Sequence, residues 1–190
     1  LLHDIGILSS EERSKVRTCD SDNINDHANN GSMLLRDFRY LRNVSKIVRD
    51  HHAWWSHCEG GTDTEEFDTF KDHAKFVKLA SNILHLADHI NTLIKEPSPE
   101  VLDRVEVIVN VVVQQSGKQF SPSVIEAFIR LSKRDTFWLD LVSPHISHKL
   151  VTSVSEQDVE LNGKDLHDFA RLMARIIDFR CSFTATHSSS

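Results

Sequence analysis

One run of residues limits the fold more than any other. Between positions 70 and 95 the apolar residues Phe76, Val77, Leu79, Ala80, Ile83, Leu84, Leu86, Ala87, Ile90, Leu93 and Ile94 recur at steps of three and four. That is the period of a helical face. Pro97 and Pro99 close the run, because proline lacks the amide proton a continuing helix needs. A helix this long can be stable only if other elements cover its apolar side. Breakers are scarce elsewhere too, with six Gly and four Pro in 190 residues.

Shorter helical patterns flank the long one. Segment 27–40 carries Met33, Leu34, Leu35 and Phe38, and segment 41–52 carries Leu41, Val44, Ile47 and Val48 before His51-His52. A polar stretch around 56–69, with Gly60-Gly61 and many acids, reads as a loop. Segment 99–114 opens with Ser98-Pro99-Glu100, a cap followed by proline at the first helical position. Its valines (Val105, Val107, Val109, Val111, Val112, Val113) suit a strand by propensity. Its length and the polar Glu106 and Asn110 favour a helix. Ser121-Pro122 opens a helix over 122–134, segment 135–162 reads as mixed and loop-like, and 163–180 predicts a last helix. That helix would set Leu166, Phe169, Ala170, Met173, Ile176 and Ile177 on one face, as core or interdomain packing. No repeat and no Asn-Gly hairpin is present, so the expected class is all-α.

Composition removes several functions. A net charge of -6 argues against a nucleic-acid surface or an anionic membrane as partner. The longest apolar run, 105–113, is too short to span a bilayer. Cys19, Cys58 and Cys181 are odd in number and widely spaced, so a reducing cytoplasm is the expected location. Histidine is the anomaly, at 12 residues, many beside carboxylates: His3-Asp4, Asp26-His27, Asp50-His51-His52, Asp72-His73 and Asp88-His89. Imidazole and carboxylate together suit iron, manganese or zinc rather than calcium. Asp4 could bridge two ions through its two oxygens. Asp88 lies inside the long apolar pattern, and a carboxylate there is costly unless it is paired or bound to metal. Bland readings stand beside these. His51-His52 could mark a helix C-terminus, where cationic side chains are favoured. Asp88 could form a buried ion pair. Trp54-Trp55 could stack on a nucleobase or simply pack. His57, His73, His85 and His89 read as surface or groove residues.

The blocks "LLHDIG" (1–6), "DHANNGSMLL" (26–35), "IVRDHHAWW" (47–55), "ASNILHLADHIN" (80–91) and "GKQFSPSVIEAF" (117–128) occur in one order. In order and spacing they resemble the HD superfamily of metal-dependent phosphohydrolases, and the HD-GYP branch within it. The resemblance implies an all-helical HD-domain bundle around a one- or two-metal site. It implies His3, Asp4, His27, His51, His52 and Asp88 as metal ligands, with Asp4 bridging and catalytic. Two divalent ions (Fe, Mn or Zn) would hold a hydroxide that attacks a phosphodiester, typically cyclic di-GMP. A small nucleotide or phosphoester is then the expected partner.

Three departures accompany the likeness. The family takes a further His ligand from a helix upstream of the HD pair, and no such helix precedes His3. The lysine of HD-x-G-K is replaced by Ile7, and the Gly-Tyr-Pro segment expected after the HH pair is absent. These favour an alternative: a catalytically degenerate domain that senses a nucleotide or metal for a following HD-GYP domain. "FARLMARIIDFRCSFTATHSSS" (169–190) resembles the join between tandem HD domains, with His187 as a ligand of the second. The opening Leu1, Leu2, Ile5 and Leu8 fit one helical face from the first residue. The expectation is therefore a piece of a tandem HD protein: an HD-like domain at 1–140, a connecting segment and linker helix at 141–180, and a second HD domain starting in 181–190. A helical interaction module without ligand is the lowest-ranked reading.

Overall fold

The structure, a computed structural model, describes residues 2–7, 24–57, 69–95, 97–153 and 160–180. The three cysteines, the acidic loop 59–68, and the segment 181–190 with His187 lie outside the described residues. Among the described residues the regular structure is helical, with one isolated bridge between Ser116 and Phe120 and no sheet. The all-α expectation holds. The helices are α1 (Ile24–Leu35), α2 (Arg42–Arg49), α3 (Thr69–Ile94), α4 (Val105–Val113), α5 (Pro122–Ser132), α6 (Asp135–Leu141), α7 (Ile146–Ser153) and α8 (Gly163–Arg180). Short 3-10 turns occupy Arg39–Leu41, Trp55–His57 and Pro99–Arg104. None of the described helices is long and apolar enough to cross a membrane.

The chain folds as two compact units. One comprises Leu1–His52, Glu66–Ser81 and Glu160–Ser190, and the other Ala53–Glu65 and Asn82–Val159. In the first unit, α1 packs against α2 and α8. Its core is Ile5, Leu34, Leu35, Phe38, Val48 and Leu172, lined by Leu41, Val44, Ile176 and Phe179. Each such side chain, fully buried, contributes about 1.5–3 kcal/mol.

Helix α8 forms where expected but turns a different face inward. Leu172 is buried, with Ile176 and Phe179 beside it, while Leu166 is 61% and Ile177 54% exposed. The reason lies at the start of the helix. Asn162 and Asp165 form a reciprocal cap: Asn162 N–H donates to Asp165 Oδ2 and Asp165 N–H to Asn162 Oδ1, each at 3.0 Å. Two of the amides that a helix start leaves without partners are thereby bonded. Asp165 is buried and accepts a bond from Arg39 at 2.7 Å. Residues 165, 172 and 179 are seven apart and share one face. The buried, paired carboxylate therefore sets the rotation of the helix, and the larger apolar stripe is left outside.

The second unit is built around Leu86, Ile90, Ile94, Val101, Ile108, Val112, Phe120, Val124, Ile125, Phe128 and Trp138. The valine-rich stretch is helical: Ile108 and Val112, four apart, are buried, and Val107 is exposed. Its entry differs from the expected cap. Ser98 is extended but makes no side-chain cap bond, and the turn after it is 3-10 over Pro99–Arg104. Segment 135–162 is less loop-like than its composition suggests, for it contains α6 and α7. The seven residues of α6 are too few for a period to register. The helix is held instead by Trp138, fully buried, whose indole N–H donates to the Ser132 carbonyl at 2.9 Å. Phe137 meets that indole edge-on at 5.2 Å. Lys149 ties α7 to Asp140 of α6 at 2.5 Å.

Two stability measurements follow. Asn162→Ala removes the α8 cap and should lower unfolding free energy by about 1 kcal/mol in urea titration. The second concerns Asp37, paired with Arg175 of α8. The Arg175 hydrogen bond holds its carboxyl below the ordinary 3.8, outweighing the opposing effect of burial. A lowered folded pKa stabilises above the unfolded value, and that stabilisation is lost as pH falls through the folded value. The stability gap between wild type and Arg175→Ala should be small at neutral pH, because the pair is exposed. It should close as the pH is taken below 3.8.

Candidate metal centre

Two helices and one turn carry the expected ligands of the first unit. His27 is on α1, and His51-His52 follow α2 directly. His3 and Asp4 lie on a turn rather than in the helix suggested by the apolar spacing. Ile5 N–H donates to the Leu2 carbonyl at 3.2 Å and Ile7 N–H to the Asp4 carbonyl at 3.1 Å. A turn is needed because the backbone runs hard against α1. A Cβ on Gly6 would land on the His27 carbonyl oxygen and the Gly31 amide nitrogen. A Cβ on Gly31 would meet Val48 Cγ1 at 3.1 Å and Ile5 Cγ2 at 3.3 Å. The glycines of the HD-x-G and H-x-x-x-G blocks thus touch one another. Their missing side chains bring Asp4 beside His27.

The three imidazoles of His27, His51 and His52 offer nitrogens that lie within 4.8 Å of one another. His27 and His51 are fully buried, and His52 is half-buried. His27 Nε2 is 3.1 Å from His52 Nε2 and 3.7 Å from Asp4 Oδ1. His3 Nε2 lies 3.2 Å from Asp4 Oδ2. The His51 ring sits edge-on to those of His3 and His27, at centroid distances of 5.6 and 5.3 Å.

His51 shows how the site is tuned. Its Nδ1–H donates to the Val48 carbonyl at 2.5 Å, one of the carbonyls that the end of α2 leaves without a helical partner. That bond fixes the proton on Nδ1 and leaves the Nε2 lone pair for a Lewis acid, the common arrangement behind a metal-binding imidazole. Ser81 Oγ donates to the Ile47 carbonyl at 3.2 Å and holds the same helix end. Burial by itself pushes the Asp4 carboxyl up. The hydrogen bond from His3 and the nearness of His3, His27 and His51 outweigh it, so Asp4 sits below the usual carboxylate range and is an anion at neutral pH.

The donor set fits a transition metal. Two nitrogens bound to one tetrahedral ion at about 2.0–2.1 Å lie about 3.3 Å apart, close to the His27–His52 separation of 3.1 Å. Three imidazoles with one ionised carboxylate are borderline donors for iron, manganese or zinc.

Asp88 belongs to the second unit, half-buried on α3. The same helix carries a polar cluster that includes His85, which the sequence reading assigned to surface or groove. His85 is buried, and the Gln119 side-chain amide donates to its Nε2 at 2.8 Å. Asn82 is buried as well: its amide donates to the Gln119 carbonyl at 3.0 Å and its oxygen accepts Ser121 N–H at 2.8 Å. Burial pushes the His89 imidazole below its ordinary value, against the opposing pull of Asp88. A signal for this cluster was present: Asn82 and His85 share the helical phase of the buried Leu86 and Ile90.

No family model matches the sequence. The chain is 23% identical over 198 residues to 3'3'-cGAMP-specific phosphodiesterase 1 of Vibrio cholerae, a match covering 99% of this chain and 43% of that protein. Its fold is similar to that in the crystal structure of a cyclic GMP-AMP specific phosphodiesterase of V. cholerae, with a TM-score of 0.62 and 16% identity. That likeness covers 99% of this chain and 50% of the solved one, and shows the fold. The chain therefore spans half or less of the length of these relatives.

Gly6→Ala tests the geometry. The added methyl has backbone on two sides and no room to move. The turn must lift, at a cost of about 1–3 kcal/mol. Thermal unfolding should show the loss, and His27 ring signals in NMR should shift as Asp4 withdraws.

Proposed function

We propose that this chain is an HD-type, metal-dependent phosphodiesterase domain, similar to the HD-GYP branch, acting on a cyclic dinucleotide. One observation carries the reading: buried His27 and His51, His52 and an ionised Asp4 converge from a turn and two helices. Such a gathering of costly polar groups has little purpose in a packing role. The V. cholerae relatives, named for cyclic GMP-AMP, support the substrate class; cyclic di-GMP is the other candidate.

In this reading His3, Asp4, His27, His51, His52 and Asp88 hold divalent ions, two of Fe, Mn or Zn, with Asp4 bridging. Bound there, the ions would supply charge neutralisation of the phosphate and an activated water. The chain's own work is positional. Val48, through its carbonyl, presents His51 by Nε2. His3 and His27 keep Asp4 anionic. The packed Gly6 turn holds Asp4 beside His27 of α1. The domain would occupy 1–140, with a connecting segment and linker helix at 141–180 and a second HD domain starting within 181–190. The cysteine usage and the substrate class fit a cytoplasmic protein.

A second reading has its own observation. Ile7, where the family carries a lysine, is 4% exposed. A buried isoleucine offers a phosphate nothing, which favours a domain that binds metal or nucleotide and regulates a neighbour.

Metal content by mass spectrometry, for wild type beside Asp4→Ala and His52→Ala, tests the centre. We expect one to two transition-metal ions per chain, lost in both variants. Turnover of cyclic GMP-AMP and cyclic di-GMP with Mn²⁺ or Fe²⁺, abolished by chelation and by Asp4→Ala, separates the readings. Metal without turnover selects the regulatory domain. A folded protein that binds no metal overturns the phosphodiesterase reading and leaves a scaffold or nucleotide-sensing domain.

A further inference from the structure

Helices α1 and α2 pack side by side and run antiparallel. Ser32 faces Ser45, Gly31 faces Val48, and His27 faces His52. Around these pairs the packing is apolar, from Leu34, Leu35, Val44 and Val48. Apolar contact is non-directional, and a slide of one helical turn, about 5.4 Å, keeps much of it. The same slide would break the 3.1 Å approach of His27 Nε2 to His52 Nε2. Something directional must set the register.

Two hydroxyls do this, that of Ser45 buried and that of Ser32 half-buried. Ser32 Oγ and Ser45 Oγ are 3.1 Å apart, and Ser45 Oγ also donates to the Ser32 carbonyl at 3.1 Å. Ser45 is 3% exposed, in phase with the core residues Leu41 and Val48 of its own segment. A hydroxyl there finds no water when the helices shift, and leaving it unbonded costs about 1–3 kcal/mol. We propose that the Ser32–Ser45 pair is the register pin of α1 and α2, and that both are positioning residues holding His27 against His51 and His52. The inference rests on the metal-centre reading above for its purpose, though not for its geometry.

The test compares wild type, Ser45→Ala, Ser45→Thr and, as a destabilised control whose hydrogen bonds stay within the start of α8, Asn162→Ala. Two readouts are taken: Co²⁺ affinity and visible absorption by titration, and the imidazole nitrogen NMR signals of the metal-free protein. Ser45→Ala should weaken Co²⁺ binding by about tenfold or more, the usual scale for groups that orient ligands, and should move the His27 and His52 signals. Ser45→Thr, which keeps the hydroxyl, should restore both. Asn162→Ala should lose stability with neither readout changed. If Ser45→Ala does not fold, Ser32→Ala removes one of the two bonds and should shift both readouts the same way by less. A folded Ser45→Ala with wild-type affinity and unmoved signals overturns the proposal. A wild type that binds no Co²⁺ sinks the metal reading, and the metal-free NMR comparison then decides the register pin by itself.

Discussion

The structure of the first unit depends on one contact without side chains. Gly6 lies on the backbone of α1 between His27 and Gly31, closer than any residue with a Cβ could come. Asp4 and His27 are over twenty residues apart in sequence and sit on elements of different kinds. They come within 3.7 Å because two glycines let two backbones meet. A glycine inside a helix costs about 1 kcal/mol relative to alanine. At Gly31 that cost is offset by the approach of the turn from one side and of Val48 from the other. Helix stability is given up locally to place a carboxylate.

Polar groups that helix ends leave without partners are used again elsewhere in the molecule. The end of α2 offers the Val48 carbonyl, which fixes the proton of His51. The end of α5 offers the Ser132 carbonyl, which takes the indole N–H of Trp138 and anchors α6. The start of α8 is closed by Asn162 and Asp165, and the same Asp165 reaches Arg39. At α5 and at Asp165 the partner comes from another element, Trp138 of α6 and Arg39 of the first 3-10 turn, while His51 and Asn162 act close to their own helix ends. That links secondary structure to tertiary placement. Such bonds are directional where hydrophobic contact is not, so they specify rotation and register while the apolar core supplies most of the stabilisation.

The helices themselves were largely legible in the sequence. The period of the run at 70–95 and the prolines after it placed α3, because a long amphipathic pattern averages over many residues. Ser121-Pro122 placed the start of α5 for the same local reason. Helix α6 was not legible, since seven residues hold too little period and its stability comes from burying Trp138 in a core assembled from four other segments. His85, read as a surface or groove residue, is buried. Histidine is ambiguous by composition, and its partner Gln119 lies thirty-four positions away. By resemblance the five motif blocks pointed to six residues, His3, Asp4, His27, His51, His52 and Asp88; of these, His27, His51 and His52 bring nitrogens within 4.8 Å of one another.

By itself, then, the sequence determined the all-α class, the places of the long helices and the identity of the polar residues worth watching. These follow from local periods and from residue chemistry, which need no partner to be read. Only the tertiary structure decided which face of α8 turns inward, where one buried carboxylate outweighs a longer apolar stripe. It alone decided that the His3-Asp4 pair stands on a turn, since a clash-free approach of two backbones is a property of two segments together. The nitrogen separations of the histidine cluster are of the same kind. They depend on the register of α1 against α2, which apolar patterning leaves open to within a turn and which the partly buried hydrogen bonds of Ser32 and Ser45 close.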